Sequence, residues 1–316
     1  MGTDTGIQHR LDFGFFRNRI NGSLDVYQRT SKDLIMERQL PSTTGWTSVW
    51  DNIGKVRNTG LELSINTINV QTSDFSWQTN IIFDTNKNEI LELYGGKKDD
   101  IGNKWFIGEA INVNYDYEFD GIWQTSEADK AAIYGQTPGQ VKVKDQNHDN
   151  VIDAKDKVIL GQQLPKWTGS ITNTFTYKNW DLAFNVYTRQ GAQLNSTFVS
   201  SFMAYDGNYN QAKVDYWTET NPTNKYPQPG NKGKYFSSMC YQDVSFVRVG
   251  YITLGYTFPM SLLKPIGIKR LKLYATANNP FLFTSFKGFD PEWATQNTWG
   301  EATSTRTFLF GVKLAF

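Results

Sequence analysis

The sequence predicts an all-β fold, an antiparallel transmembrane β-barrel of which the chain supplies about nine strands. Three observations carry this. Apolar and polar residues alternate with period two almost throughout, so successive side chains fall on opposite faces of a pleated strand. The alternating segments are long enough to cross a bilayer at a tilt, which takes about nine to eleven residues. The connections alternate short and long, as tight periplasmic turns and long extracellular loops do.

In order, the strands are expected at 7–16, 19–30, 58–70, 74–86, 166–178, 180–190, 243–258, 267–279 and 304–316. Arg17-Asn18 joins the first pair, and residues 31–57 form a first outer loop before the third strand. There Leu61, Leu63 and Ile65 oppose Glu62, Ser64 and Asn66. A tight turn at 71–74 leads into Phe75, Trp77, Thr79, Ile81 and Phe83, set against Ser76, Gln78, Asn80, Ile82 and Asp84. The second outer loop is 87–165. A turn at 178–180 separates the fifth strand from Trp180, Leu182, Phe184 and Val186, which alternate with Asp181, Ala183, Asn185 and Tyr187. Loop 191–242 follows, then a turn at 258–267, then loop 280–303. The last strand sets Phe308, Phe310, Val312, Leu314 and Phe316 on one face and Thr307, Leu309, Gly311, Lys313 and Ala315 on the other. Phe316 thus ends the chain at an aromatic girdle position.

Composition agrees with this reading. Of 316 residues, 21 are Phe, 16 Tyr and 10 Trp, while charged residues make up only 20%. A barrel wall needs only every second residue apolar, so average hydropathy stays low without a membrane helix. The net charge of +1 gives no global pull toward nucleic acid. A single cysteine, Cys240, excludes an internal disulfide. Met1-Gly2-Thr3-Asp4-Thr5 has neither the basic nor the apolar region of a signal peptide.

Several stretches are familiar. The run from Asn58 to Gly95, "NTGLELSINTINVQTSDFSWQTNIIFDTNKNEILELYG", resembles the late barrel of SusC/RagA-family TonB-dependent outer-membrane transporters. So do "YDYEFDGIWQT", the stretch from Tyr134 to Tyr187, and "YQDVSFVRVGYITLGYTFP". The resemblance runs essentially end to end. It implies the C-terminal part of a barrel of about twenty-two strands, whose signal peptide, plug and early strands would lie upstream. It also implies the outer membrane of a Bacteroidetes-type Gram-negative cell and a non-enzymatic role. That role would be import of glycans or oligopeptides with a SusD-like surface lipoprotein, energised through TonB–ExbBD. The competing reading is a secreted β-rich carbohydrate-binding module stabilised by calcium, whose sheets would alternate in the same way.

The sharpest local motif is "DQNHDNVIDAKD", 145–156, which fills the ligand positions of an EF-hand-type loop. Asp145, Asn147, Asp149, the Val151 carbonyl, Asp153 and Asp156 are the expected Ca²⁺ ligands. Two departures weaken the pattern. Asn150 replaces the glycine of the sharp turn, and Asp156 replaces the longer glutamate. The alternative is an acidic loop shaped by Asx-turns alone. Aromatic residues in the loops are candidate cargo contacts, chiefly Trp105, Trp123, Tyr205, Trp217, Trp293 and Trp299, since rigid rings suit sugars and peptide side chains. Packing of the loops is the competing explanation for each. Catalysis finds little support. His9 and His148 have no nucleophile in a known motif, and Asp99-Asp100 and Asp290-Glu292 read as solvated carboxylates.

Overall fold

The computed structural model describes residues 2–94, 96–205, 211–294 and 303–316. Nine strands form one antiparallel sheet: β1 (Thr3–Phe15), β2 (Ile20–Gln39), β3 (Ser48–Gln71), β4 (Phe75–Glu92), β5 (Trp167–Tyr177), β6 (Trp180–Gln190), β7 (Phe246–Thr257), β8 (Arg270–Thr284) and β9 (Thr307–Ala315). Each is hydrogen-bonded to the wall strand before and after it, so the sheet is an uninterrupted meander ending at β1 and β9.

Register fixes the two faces. Leu11 pairs with Leu24, Leu24 with Leu63, Leu63 with Phe83 and Phe83 with Gly169. Two residues along β5, Ile171 pairs with Val186. Farther along β6, Leu182 pairs with Leu254, Leu254 with Ala275 and Ala275 with Phe310. Directly paired residues point to the same side of a sheet, so one apolar face runs unbroken across all nine strands. The opposite face carries Ser23, Glu62, Asn66, Asn80, Thr172, Asn185, Thr253 and Thr276. Its amides and hydroxyls bond one another: Asn80 donates to Asn66 at 2.8 Å, Asn185 to Thr172 at 2.9 Å, and Thr253 meets Thr276 at 2.9 Å.

Among the described residues none packs over the apolar face. Phe310 is 80% exposed, and Leu11, Trp180, Leu254 and Phe283 are exposed as well. That is the surface a bilayer covers. Aromatic rings collect at its short-turn end, where Trp77 stacks on Phe175 at 5.6 Å and Trp180 lies 4.7 Å from Tyr256. One cross-strand polar cluster lies on this face. Asn173 Oδ1 accepts from Trp77 Nε1 at 2.8 Å and from Thr79 Oγ1 at 2.7 Å.

One expectation is corrected. Residues 31–57 are not a loop; β2 and β3 stay paired as far as Gln39 opposite Ser48, leaving only 40–47 as the tip. Register shifts around Leu34 break the alternation that marks a strand in sequence, which hides the continuation. At 20 and 24 residues, β2 and β3 far exceed the bilayer requirement and project beyond it. β8 likewise runs on to Thr284, past the expected end at 279.

Candidate functional site

The remaining long connections fold together at one end of the sheet. Three short hairpin-like pairs build the cap: Val113–Tyr117 with Lys157–Gln162, Phe119–Ile122 with Val141–Val143, and Gln193–Asn195 with Tyr241–Asp243. Between them lies the largest cluster of buried apolar side chains, centred on Ile122, Val141, Val199, Trp217, Phe236 and Cys240. The loops thus carry the core that a membrane wall lacks.

This packing decides the fate of the aromatic candidates. Trp123 and Trp217 are only 5% and 2% exposed. Trp123 Nε1 donates to Gln136 at 3.0 Å, and Trp217 Nε1 donates to Gln124 at 2.9 Å. Both rings stand inside the cap. Trp105 packs against Val56, Ile90 and Leu93 where the cap meets β3 and β4. Tyr205 is half-buried, its hydroxyl donating to the Ala212 carbonyl at 2.7 Å. Trp293 is 40% exposed, and its Nε1 donates to Ser304 at 3.1 Å. Trp299 lies outside the described residues.

The acidic loop is wound by its own side chains. Asp145 accepts from the His148 N–H at 2.7 Å and the Asn150 N–H at 2.8 Å. Asn147 accepts from Asp149 at 3.0 Å, and Asp149 from Val151 at 2.9 Å. His148 and Asn150 take positive φ, 61° and 63°, which an asparagine tolerates in the absence of glycine. Asp156 is wholly buried and ties the loop's ends, accepting from Gln146 at 2.9 Å and Asp153 at 2.8 Å. Asp153 itself caps Lys155 at 2.7 Å. Burial alone would raise the Asp145 carboxyl, but the N–H bonds from Asn150 and His148 and the Tyr134 hydroxyl outweigh it and hold the group below its ordinary range. Among the described residues no group of three or more His, Cys, Asp or Glu side chains comes together so as to hold a metal ion.

The polar face supplies what the sequence reading passed over. Near the cap end of β1–β4 it forms an open groove of about 640 Å³ edged by Asp4, Gln8, Tyr27, Arg29, Glu62 and Asn86. Gly60 makes room for the Tyr27 ring; a Cβ there would lie 2.4 Å from it. The signal was present, since these residues occupy the positions alternate to the apolar ones. Asp290 and Glu292 also prove not to be solvated carboxylates. Arg248 of β7 pairs with Asp290 at 2.6 Å, and Glu292 takes Arg189 at 3.2 Å.

A two-faced meander with an uncovered apolar belt, an aromatic girdle, short turns at one end and a folded cap at the other is the wall of an outer-membrane β-barrel. More narrowly, the chain belongs to the family described as TonB dependent receptor-like, beta-barrel, which matches residues 2–280. It is an outer-membrane chain of the SusC/RagA type. It is 31% identical to TonB-dependent receptor P26 of Formosa agariphila, over 92% of this chain and 31% of that protein. It is 30% identical to TonB-dependent receptor SusC of Bacteroides thetaiotaomicron, over 97% of this chain and 31% of that one. The structure of the RagAB peptide transporter superposes on all of this chain and 35% of its own, with a TM-score of 0.78 at 24% identity. The chain therefore spans about a third of the length of the relatives it matches.

Proposed function

We propose that residues 1–316 supply barrel wall and extracellular cap to a TonB-dependent importer of nutrients too large for porins, glycans or oligopeptides. The observation that carries this is the unbroken separation of faces. A nine-strand apolar belt faces lipid, while amides, hydroxyls and both signs of charge face the lumen beneath a folded cap. Such a lumen wall offers many weak hydrogen-bonding positions, which suits passage of polar oligomers rather than tight retention. In this reading a SusD-like surface lipoprotein closes the extracellular side, and TonB–ExbBD supplies energy. Family membership and the SusC-type resemblance support both partners.

The acidic loop 145–156 is proposed to hold Ca²⁺ through Asp145, Asn147, Asp149, the Val151 carbonyl, Asp153 and Asp156. What supports this is the run of oxygen donors at alternating positions of a short loop, the arrangement that wraps a hard cation. The ion's part would be structural, fixing the cap. The test of function is growth and uptake. A strain lacking the gene should lose growth on one oligomer class and regain it with the intact gene, dependent on TonB. Normal growth of the deletion strain on both glycan and oligopeptide panels would sink the proposal.

A further inference from the structure

The apolar face is not uniform. Between the Trp180–Tyr256 pair on one side and Phe310 on the other, it hollows into an open furrow of about 560 Å³, floored by Ala275 and walled by Leu254 and Leu273. The furrow exists because a one-carbon side chain sits where its cross-strand partners, Leu254 and Phe310, are large. Its position matters as much as its shape. Trp180 opens β6 and Tyr256 nearly closes β7, so the furrow lies in the half of the wall next to the short turns. In this fold that is the periplasmic leaflet.

The rim at that end is basic. Lys178 follows Tyr177 in the β5–β6 turn, its Nζ lying 5.6 Å from that ring. Lys269 precedes Leu271, Leu273 and Ala275 on the same alternate row, about 20 Å along the chain from the furrow floor at Ala275. Its N–H is fixed by the Ala315 carbonyl at 2.8 Å. Lys264 lies in the turn between β7 and β8, and all three lysines are exposed. That turn also exposes Met260, Leu262 and Ile266, at 57%, 62% and 65%. Apolar side chains beside lysines, next to a girdle of Trp and Tyr, lie at the level of lipid headgroups.

We propose that the furrow is a binding site for one glycerophospholipid of the periplasmic leaflet. Its acyl chains lie along Leu254, Leu273 and Ala275, and its phosphate sits among Lys178, Lys264 and Lys269. Apolar shape and basic rim are separate features of the surface. Their spacing along β8 matches a molecule that is anionic at one end and apolar at the other. Lipopolysaccharide belongs to the opposite leaflet and is excluded by the furrow's depth. The site is independent of whether the cargo is a glycan or a peptide.

Native mass spectrometry of the protein extracted from outer membranes in mild detergent, with added phosphatidylglycerol, tests this. The wild type should retain one phospholipid per barrel. Ala275→Phe, which fills the floor, should lower the retained fraction at least about fivefold, equivalent to about 1 kcal/mol of affinity. The exposed-rim variant Lys178→Glu/Lys269→Glu keeps the test open if the first variant folds poorly. It should reduce retention of phosphatidylglycerol more than that of zwitterionic phosphatidylcholine. Unchanged retention in the rim variant overturns the proposal. So does loss of a second protein copy, rather than of lipid, from the Ala275→Phe spectrum, which would make the furrow a contact between barrels.

Discussion

Arg248 Nη2 lies 2.6 Å from Asp290 Oδ1, with the two side chains 2% and 4% exposed. Arg248 stands on the lumen face of β7 opposite Tyr187, whose hydroxyl donates to Glu292 at 2.8 Å. Asp290 also accepts from the N–H of Ser304 at 3.1 Å. The pair therefore fastens the β8–β9 connection into the mouth of the barrel. Asp290→Ala removes the closer of the two carboxylate partners of the buried Arg248, leaving only Glu292 at 3.6 Å from its Nε, and costs about 3 kcal/mol. The heat-modifiable gel transition should fall markedly in temperature. Arg248→Met/Asp290→Leu, which removes both charges, should restore most of it; a double variant no better than the single one would refute the pairing.

The acidic loop should respond to calcium and to acid. Asp145→Asn and Asp149→Asn each remove a charge from the proposed ligand set and should weaken Ca²⁺ binding in calorimetry by at least about tenfold, or 1.4 kcal/mol. Because the folded Asp145 carboxyl is held below its ordinary value of 3.8, it stabilises the loop fully above that pH. The contribution is lost as pH falls through the lower, folded value. Protease nicking between 145 and 156 should therefore rise below about pH 4 and not between pH 5 and 8.

Cys240 should be chemically silent in the folded protein. Burial pushes its thiol up to about 12, against a smaller opposing effect of the Lys232 charge. At pH 8 the thiolate fraction is then on the order of one in ten thousand. Maleimide labelling should be negligible until denaturant opens the cap, and labelling in native protein at the denatured rate would contradict the packed cap core.

Asn173 is a polar residue on the lipid-facing side, and its removal is expected to cost more than its size suggests. Asn173→Leu deprives Trp77 Nε1 and Thr79 Oγ1 of their acceptor and should destabilise by about 1–3 kcal/mol. Adding Trp77→Phe and Thr79→Val, which remove the stranded donors, should recover much of the loss in the same gel assay.

Gly60 is held small by two neighbours on the polar face. A Cβ would meet the Tyr27 ring at 2.4 Å and the Thr85 carbonyl oxygen at 2.7 Å. Gly60→Ala should cost about 1–3 kcal/mol through overpacking. Tyr27→Ala should relieve only part of that cost, because the backbone oxygen cannot move away without disturbing β4.

By itself the sequence determined the wall. Alternation such as Phe308, Phe310, Val312 and Leu314 against Thr307, Leu309 and Lys313 is a local property, and in a pleated strand it fixes both secondary structure and facing. The acidic motif was equally legible, because its turns close through bonds between residues two to five apart. What the tertiary structure decided depended on distant partners. The pairing of β2 with β3 past residue 30 was hidden by local register shifts. Trp123 and Trp217 resembled free loop aromatics until Gln136 and Gln124 took up their indole N–H groups inside a shared core. Asp290 resembled surface until Arg248, 42 residues earlier in the chain, was brought against it. The furrow at Ala275 required three strands in register. Period and spacing are written along the chain, whereas burial is set by what the fold brings from far away, so the wall was legible and the cap was not.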